Sequence, residues 1–274
     1  MAGRKATDME PSGMEALART GLVPDAPCEL AGQAALVTGA SRGIGRAIAL
    51  ALAAGGARVM VGYLRQREKA EAVVEQICRA GGEAEAIQVD VRDAAACEAA
   101  VAATVRRFGQ IDVLVNNAGT ALEKLLVDTS LDEWDDLVAV HLTGMYACTR
   151  AALPHMMARR YGRVITISSI WGITGAAGEV AYSAVKAGQN GFTRALAQEV
   201  GPFGITVNAV APGAIDTEMN QFLQGDDLAD WLARVPVRRL GTPEEVASLV
   251  RYLAGPQAGF ITGQVISPNG GVVV

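Results

Sequence analysis

The stretch Thr38-Gly39-Ala40-Ser41-Arg42-Gly43-Ile44-Gly45 limits what this chain can fold into more than any other. It follows the apolar run Ala35-Leu36-Val37 and opens an alanine-rich helical pattern from Gly43 to Ala54. Glycine at a strand end permits a tight turn, and glycines at a helix start let backbone approach a pyrophosphate and let the helix pack on the strand. The helix N-terminus adds free N–H groups and the positive end of a dipole. The spacing is G-x-x-x-G-x-G, not the general G-x-G-x-x-G. Its strand–loop–helix setting is what separates a dinucleotide loop from a bare glycine-rich turn.

Further strands are expected at Val59-Met60-Val61, Ala86 to Val89, Val113-Leu114-Val115, Arg163 to Ser168, Ile205 to Ala209 and Gln264 to Ser267. Helical patterns fall between them: Glu68 to Arg79, Ala94 to Phe108, a long one from Asp132 to Arg159 bent at Pro154, Tyr182 to Val200, and Pro243 to Ala254. This alternation implies an α/β fold, a Rossmann-type doubly wound parallel sheet in one domain spanning residues 30–274. Half of the 274 residues are hydrophobic and 5% aromatic, which suits an aliphatic sheet covered on both faces. A formal charge of −5 argues against a nucleic-acid partner, which needs a basic stripe. No apolar run reaches the roughly 18 residues that suggest a membrane span. Cys28, Cys78, Cys97 and Cys148 form no C-x-x-C pair and read as free thiols in a reducing cytoplasm. Residues 1–29 mix Arg4, Lys5, Asp8, Glu10 and Glu15 without an apolar stretch, and read as a flexible N-terminal extension instead of a secretory signal.

An acid at the end of the second strand would bind the ribose hydroxyls of NAD and repel a 2′-phosphate. The sequence there is Val61-Gly62-Tyr63-Leu64-Arg65, with no acid. Arg42 and Arg65 are suited to gripping a 2′-phosphate, because guanidinium matches phosphate geometry; the alternative is two ordinary surface arginines. The expected cofactor is NADP(H), held by Gly39, Ser41, Arg42, Gly43, Ile44 and Gly45 of the loop with Tyr63 and Arg65 beyond it.

Ser168-Ser169-Ile170-Trp171-Gly172 precedes Tyr182-Ser183-Ala184-Val185-Lys186 by a short loop. Tyr182 and Lys186, four apart, share one helix face. A tyrosine pKa near 10 is high for proton exchange at neutral pH, and a nearby ammonium is expected to lower it, readying Tyr182 as a general acid or base. Hydroxyls of Tyr182 and Ser169 aimed at a carbonyl oxygen would stabilise the charge that grows there as hydride arrives at carbon.

With the glycine loop, Asn116-Asn117-Ala118-Gly119, Ser169, Tyr182, Lys186 and Pro212-Gly213 in this order, the chain from about Leu30 onward resembles the short-chain dehydrogenase/reductase family. The resemblance implies a seven-stranded sheet and a homotetramer built through the two long helices beside the active site. It implies that Asp90 and Val91 meet the adenine and that Asn117, Ala118 and Gly119 line the ribose side. Tyr182 and Lys186 would hold the nicotinamide ribose, with Pro212, Gly213, Ile215 and Thr217 flanking the carboxamide. The family's tyrosine delivers the proton while Ser169 orients substrate. One departure is His141, where the family has an asparagine supporting a water relay to the lysine. Imidazole can donate and accept, so His141 either replaces that amide or is a satisfied buried histidine.

Two branches of the family fit, both reducing a ketone carried on a protein. One acts on 3-oxoacyl groups of acyl carrier protein, whose acidic surface needs a basic landing site; Arg159, Arg160 and Arg163 are candidates. The other reduces a 5-aminopentanone group on a lysine of elongation factor P. The chain is more similar to the second branch at Trp171, Gly175-Ala176, Glu179-Val180, Met219-Asn220, His141 and Gln189, so elongation factor P is the expected partner and acyl carrier protein the alternative. Glu179 would meet an ammonium or basic partner, or else is a solvated loop carboxylate. A non-catalytic NADP-binding regulator is the reading that intact Ser169, Tyr182 and Lys186 oppose. Replacing Arg65→Asp is expected to shift cofactor preference toward NADH in steady-state assays with both cofactors; an unchanged ratio would place the 2′-phosphate elsewhere.

Overall fold

The computed structural model describes residues 28–220 and 225–274. Its elements, in chain order, are β1 (Ala34–Val37), α1 (Gly43–Ala54), β2 (Arg58–Tyr63), α2 (Arg67–Arg79), β3 (Ala84–Gln88), α3 (Ala94–Phe108), β4 (Val113–Asn116), α4 (Leu131–Val138), α5 (Gly144–Arg159), β5 (Gly162–Ile167), α6 (Trp171–Thr174), α7 (Val180–Val200), β6 (Ile205–Val210), α8 (Gly225–Arg234), α9 (Pro243–Ala254) and β7 (Val265–Ile266). The seven strands form one parallel sheet in the order β3-β2-β1-β4-β5-β6-β7. Chain direction across the sheet reverses between β1 and β4, so a crevice opens at their carboxyl ends, where such sheets bind ligands.

Successive side chains of a strand point to opposite faces. Ala35 and Val37 of β1 therefore enter one apolar layer with Ile48 and Leu52 of α1 and Val250 and Leu253 of α9. Ala34 and Leu36 enter the other, with Val101 and Phe108 of α3 and Met156 of α5. Helix ends carry local signals: Asp93 caps α3 by accepting from Ala95 N–H at 2.8 Å, and Gly109 closes it at φ 81°. Ser130 with Glu133 and Thr242 with Glu245 form capping boxes on α4 and α9.

The long central helix departs from the expected Asp132 to Arg159. A π-helical turn, Ala139–Thr143, separates α4 from α5, and α5 runs on through Pro154 to Arg159. An irregularity unforeseen in the sequence thus lies at His141, ahead of the proline. Helix α7 starts two residues before the expected Tyr182, while α6 and α8 carried no periodicity long enough to foresee. The extension expected over residues 1–29 lies outside the described residues except for Cys28 and Glu29; Glu29 pairs with Arg251 of α9 at 2.5 Å. Among the described residues no helix is long and apolar enough to cross a membrane.

Gly45 lies where α1 crosses the ends of β1 and β4. A Cβ there would fall on Asn117 Nδ2 and the Gly39 carbonyl oxygen. Gly45→Ala should therefore cost roughly 1–3 kcal/mol through overpacking, read as a lower urea midpoint with unchanged slope; an unshifted midpoint would show that the loop gives way freely.

Candidate active site

A cavity of about 980 Å³ opens along the carboxyl edge of the sheet. At one end lies the glycine loop. Gly39 and Gly43 have φ of +65° and +53°, conformations that disfavour any Cβ. Helix α1 has no side-chain cap, so its first N–H groups are free for an anion. The loop is fixed from β4: Thr38 Oγ1 accepts the backbone N–H groups of Asn117 and Ala118, both at 3.0 Å. Asn117 Nδ2 donates to the carbonyls of Thr38 and Gly39 at 2.8 and 3.1 Å. The Asn117 amide is thus spent on holding the loop, leaving backbone of the 117–119 turn to face the cavity.

Ser41, Arg42, Gly43, Ile44 and Gly45 line this end, with Arg65, Asp90 and Val91 beyond them. Asp90 is gripped by Arg92, whose hydrogen bonds hold its carboxyl below the ordinary range, with a smaller contribution from the charge of Arg65. Tyr63 is the exception among the expected cofactor residues. Its side chain is 8% exposed and packs in the apolar layer with Val59 and Val61, because odd positions of β2 point into that layer; it does not line the cavity. The bare loop backbone, an uncapped helix N-terminus and two arginines at one end of a long cavity fit a dinucleotide bearing a 2′-phosphate.

At the other end Ser169, Tyr182 and Lys186 converge. Ser169 follows β5; its Oγ accepts from Trp171 N–H at 3.2 Å and interacts with the Tyr182 hydroxyl. Tyr182 and Lys186 lie one turn apart on α7, and Lys186 Nζ donates to the Ile167 carbonyl at 2.8 Å, 5.4 Å from the Tyr182 ring centroid. Gly172 lets α6 sit directly on α7: a Cβ there would come within 2.7 Å of Lys186 backbone carbon. Pro212 accepts from Ile170 N–H at 3.1 Å, and Gly213 donates to the Pro268 carbonyl at 3.1 Å. Gly213, Ile215 and Thr217 continue along the same wall.

The electrostatics correct one expectation. The net shift of the Tyr182 pKa is upward despite the neighbouring Lys186. Burial pushes the phenol above its ordinary range, the Glu179 carboxylate adds to the rise, and only the Ser169 hydroxyl opposes it. Lys186 is itself desolvated, which brings its pKa down to about 7, so its positive charge is only partly present at neutral pH. Tyr182 accordingly keeps its proton, the state required of an acid.

His141 is buried in the π-helical turn. Its Nε2 lies 2.8 Å from the Thr120 carbonyl oxygen, its Nδ1 has no protein partner, and its ring meets Tyr182 edge-on at 5.6 Å. Gly119 makes room for it, since a Cβ there would stand 2.7 Å from His141 Cε1. Burial first, and the charge of Lys186 second, lower its pKa to about 3. Beside it is a cavity of about 10 Å³ reaching Gln189, about the space of one water.

Several residues unforeseen in the sequence complete the cavity. Trp231 of α8 meets Trp171 edge to face at 5.8 Å, and Arg234 lies over Trp231 at 5.4 Å. Glu123 stands near Glu179, which burial and that second charge push up in pKa while the Trp171 indole lowers it. None of these pairs leaves a local signature, because each joins distant stretches of chain. Of the expected landing-site arginines, Arg159 and Arg160 are exposed just before β5, and Arg163 is the one corrected. Arg163 is buried, with its guanidinium over the Tyr161 ring.

His141 also predicts an acid response. Its folded pKa is depressed below the unfolded value of about 6.5, so the unfolded chain binds the proton first. Stability present above that pH should be lost as pH falls toward about 3. Urea unfolding at pH 7 and pH 5 should show a steeper loss in the native protein than in His141→Asn; equal losses would mean that the imidazole is not buried neutral.

Comparison with known proteins gives a consistent result. A family model described as enoyl-(acyl carrier protein) reductase matches residues 39–273. A 3-oxoacyl-[acyl-carrier-protein] reductase of Synechocystis is 45% identical over 89% of this chain and 98% of its own length. One from Escherichia coli is 43% identical over 88% of this chain and 97% of its own length. Among solved structures, a dehydrogenase/reductase from Sinorhizobium meliloti has a TM-score of 0.85 at 42% identity, covering 89% of this chain and 96% of that one. A short-chain dehydrogenase from Burkholderia cenocepacia in complex with NADP has a TM-score of 0.84 at 39% identity, covering 89% and 99%. The chain belongs to the short-chain dehydrogenase/reductase family, whose members are nicotinamide-dependent oxidoreductases of carbonyl and alcohol groups.

Proposed function

We propose that this protein reduces the ketone of a 3-oxoacyl thioester on acyl carrier protein to a secondary alcohol, with NADPH as reductant. The observation that carries the reading is the 45% identity to 3-oxoacyl-[acyl-carrier-protein] reductases along nearly their whole length, joined to the convergence of Ser169, Tyr182 and Lys186 in one cavity. The same comparisons move the reading away from the 5-aminopentanone group of elongation factor P, to which the local likenesses at Trp171 and Glu179 pointed. In the fold the Glu179 carboxylate is engaged by the Trp171 indole and raised toward its neutral form, which weakens it as an ammonium receptor.

NADP(H) binds along the sheet edge. The α1 N-terminus would hold its phosphates, Arg42 and Arg65 its 2′-phosphate, Asp90 and Val91 its adenine, and Asn117, Ala118 and Gly119 its ribose. Tyr182 and Lys186 would hold the nicotinamide ribose, with Pro212, Gly213, Ile215 and Thr217 around the carboxamide. The bound cofactor supplies the hydride. Ser169 and Tyr182 direct their hydroxyls at the ketone oxygen, where negative charge grows, and Tyr182 gives up its proton to it. Lys186, next to the phenol, stabilises the phenolate left behind. His141 stays neutral and keeps the Thr120 turn and the Tyr182 ring in place.

The carrier-bound chain enters past Trp171 and Trp231, with Arg234 the cation at that mouth. Leu126, Val127, Leu131 and Tyr146 around α4 and α5 are exposed and form the apolar face that a second copy of the chain would cover in a cytoplasmic homotetramer. Two measurements test the reading. Tyr182→Phe should lower ketone reduction by about a hundredfold or more while NADPH affinity, read by fluorescence titration, is kept; preserved turnover would remove Tyr182 from the chemistry. A paired assay should show turnover of a 3-oxoacyl thioester and none of aminopentanone-modified elongation factor P, and the reverse result would restore the other branch.

A further inference from the structure

The glycine-loop end of the cavity carries an ion-pair arrangement that the reduction itself does not use. Glu218 stands in the 3-10 turn Glu218–Asn220. One oxygen of its carboxylate takes the guanidinium of Arg42, and the other takes Lys69 of α2 at 2.9 Å. The three side chains are each about half exposed, and they come from three separate parts of the chain.

The carboxylate arrives from the substrate side. Ile215 forms an isolated bridge with Gly241, Asp216 N–H donates to the Gly241 carbonyl at 2.9 Å, and Asn220 Nδ2 donates to the Ile215 carbonyl at 2.7 Å. Thr217 packs over Gly43, where a Cβ would lie 3.6 Å from its Cγ2. The same part of the chain carries Trp231 and Arg234, which line the substrate end. Glu218 therefore joins the substrate-side wall to cations on the cofactor side.

We propose that Glu218 is a built-in stand-in for the 2′-phosphate of NADP(H): it holds Arg42 and Lys69 until the phosphate takes them over, which releases the Glu218–Asn220 turn. The inference rests on the assignment of the 2′-phosphate to the Arg42 end, and it adds Lys69 to that site. A phosphate monoester brings nearly two negative charges and three acceptor oxygens. The carboxylate brings one charge, and hydrogen bonds from Lys69 and Arg42 hold its pKa below the ordinary range; exposed ion pairs of this kind are individually weak. NAD(H) has a hydroxyl in place of the phosphate and leaves the ion pairs standing. Because coupling is reciprocal, removing the carboxylate must favour 2′-phosphorylated ligands and leave unphosphorylated ones unaffected.

The test uses adenosine 2′,5′-bisphosphate and 5′-AMP, titrated calorimetrically into the full chain and into Glu218→Gln and Lys69→Met. Glu218→Gln should bind the bisphosphate about three- to tenfold more tightly, as expected from losing two exposed ion pairs, with 5′-AMP unchanged. Lys69→Met should weaken the bisphosphate alone. In the native chain, amide exchange at Asp216 and Asn220 should be faster with the bisphosphate than with 5′-AMP. Equal or weaker bisphosphate binding by Glu218→Gln, or exchange that does not differ between ligands, would overturn the stand-in while leaving the phosphate site intact. Equal native affinity for the two ligands would instead remove the Arg42 site, and the proposal with it.

Discussion

The hydroxyl of Thr38 receives two backbone N–H groups from the turn after β4, and the Asn117 amide answers with bonds to the carbonyls of Thr38 and Gly39. This knot ties the carboxyl ends of β1 and β4 at the place where the direction of winding reverses. The cofactor end rests on it together with the bond from Ala40 N–H to the Gly62 carbonyl of β2 at 2.7 Å, and Gly45 must lie against Asn117 without a side chain of its own. Hydrogen bonds shielded from water in this way are strong locally and costly to leave unmade, so the loop is fixed before any ligand arrives.

The two ends of the cavity are electrostatically unlike. At the catalytic end Tyr182, Lys186 and His141 are all desolvated, and burial drives each toward its neutral form. At the cofactor end Arg42 and Lys69 pair with Glu218, and Arg92 with Asp90, at the surface. The division suits a hydride transfer. A dry end gives hydroxyl dipoles leverage on developing charge, and a wet end recruits an anionic ligand through exchangeable ion pairs.

The π-helical turn at 139–143 ties the turn after β4 to the catalytic helix α7. It inserts His141 between the Thr120 turn and the Tyr182 ring, and Gln189 of α7 donates to its carbonyl at 2.9 Å. The helix irregularity is therefore a positioning device, one whose buried Nδ1 and Gln189 Oε1 lack protein partners beside a water-sized cavity.

The sequence by itself determined the sheet, the glycine loop and the Tyr182–Lys186 pair. Each is local: strand alternation, a loop spacing, and two residues one helical turn apart are set by neighbours along the chain. It also carried the right order of elements, although it offered no sign of the π-helical turn at Ala139–Thr143, where no proline or glycine marks it. Only the tertiary structure decided where Tyr63 points, that Arg163 is buried, and that Glu218 reaches both Arg42 and Lys69. It also reversed the expected sign of the Tyr182 shift. Desolvation and charge–charge distance depend on what folding brings together from remote parts of the chain, and spacing along the sequence carries no record of either.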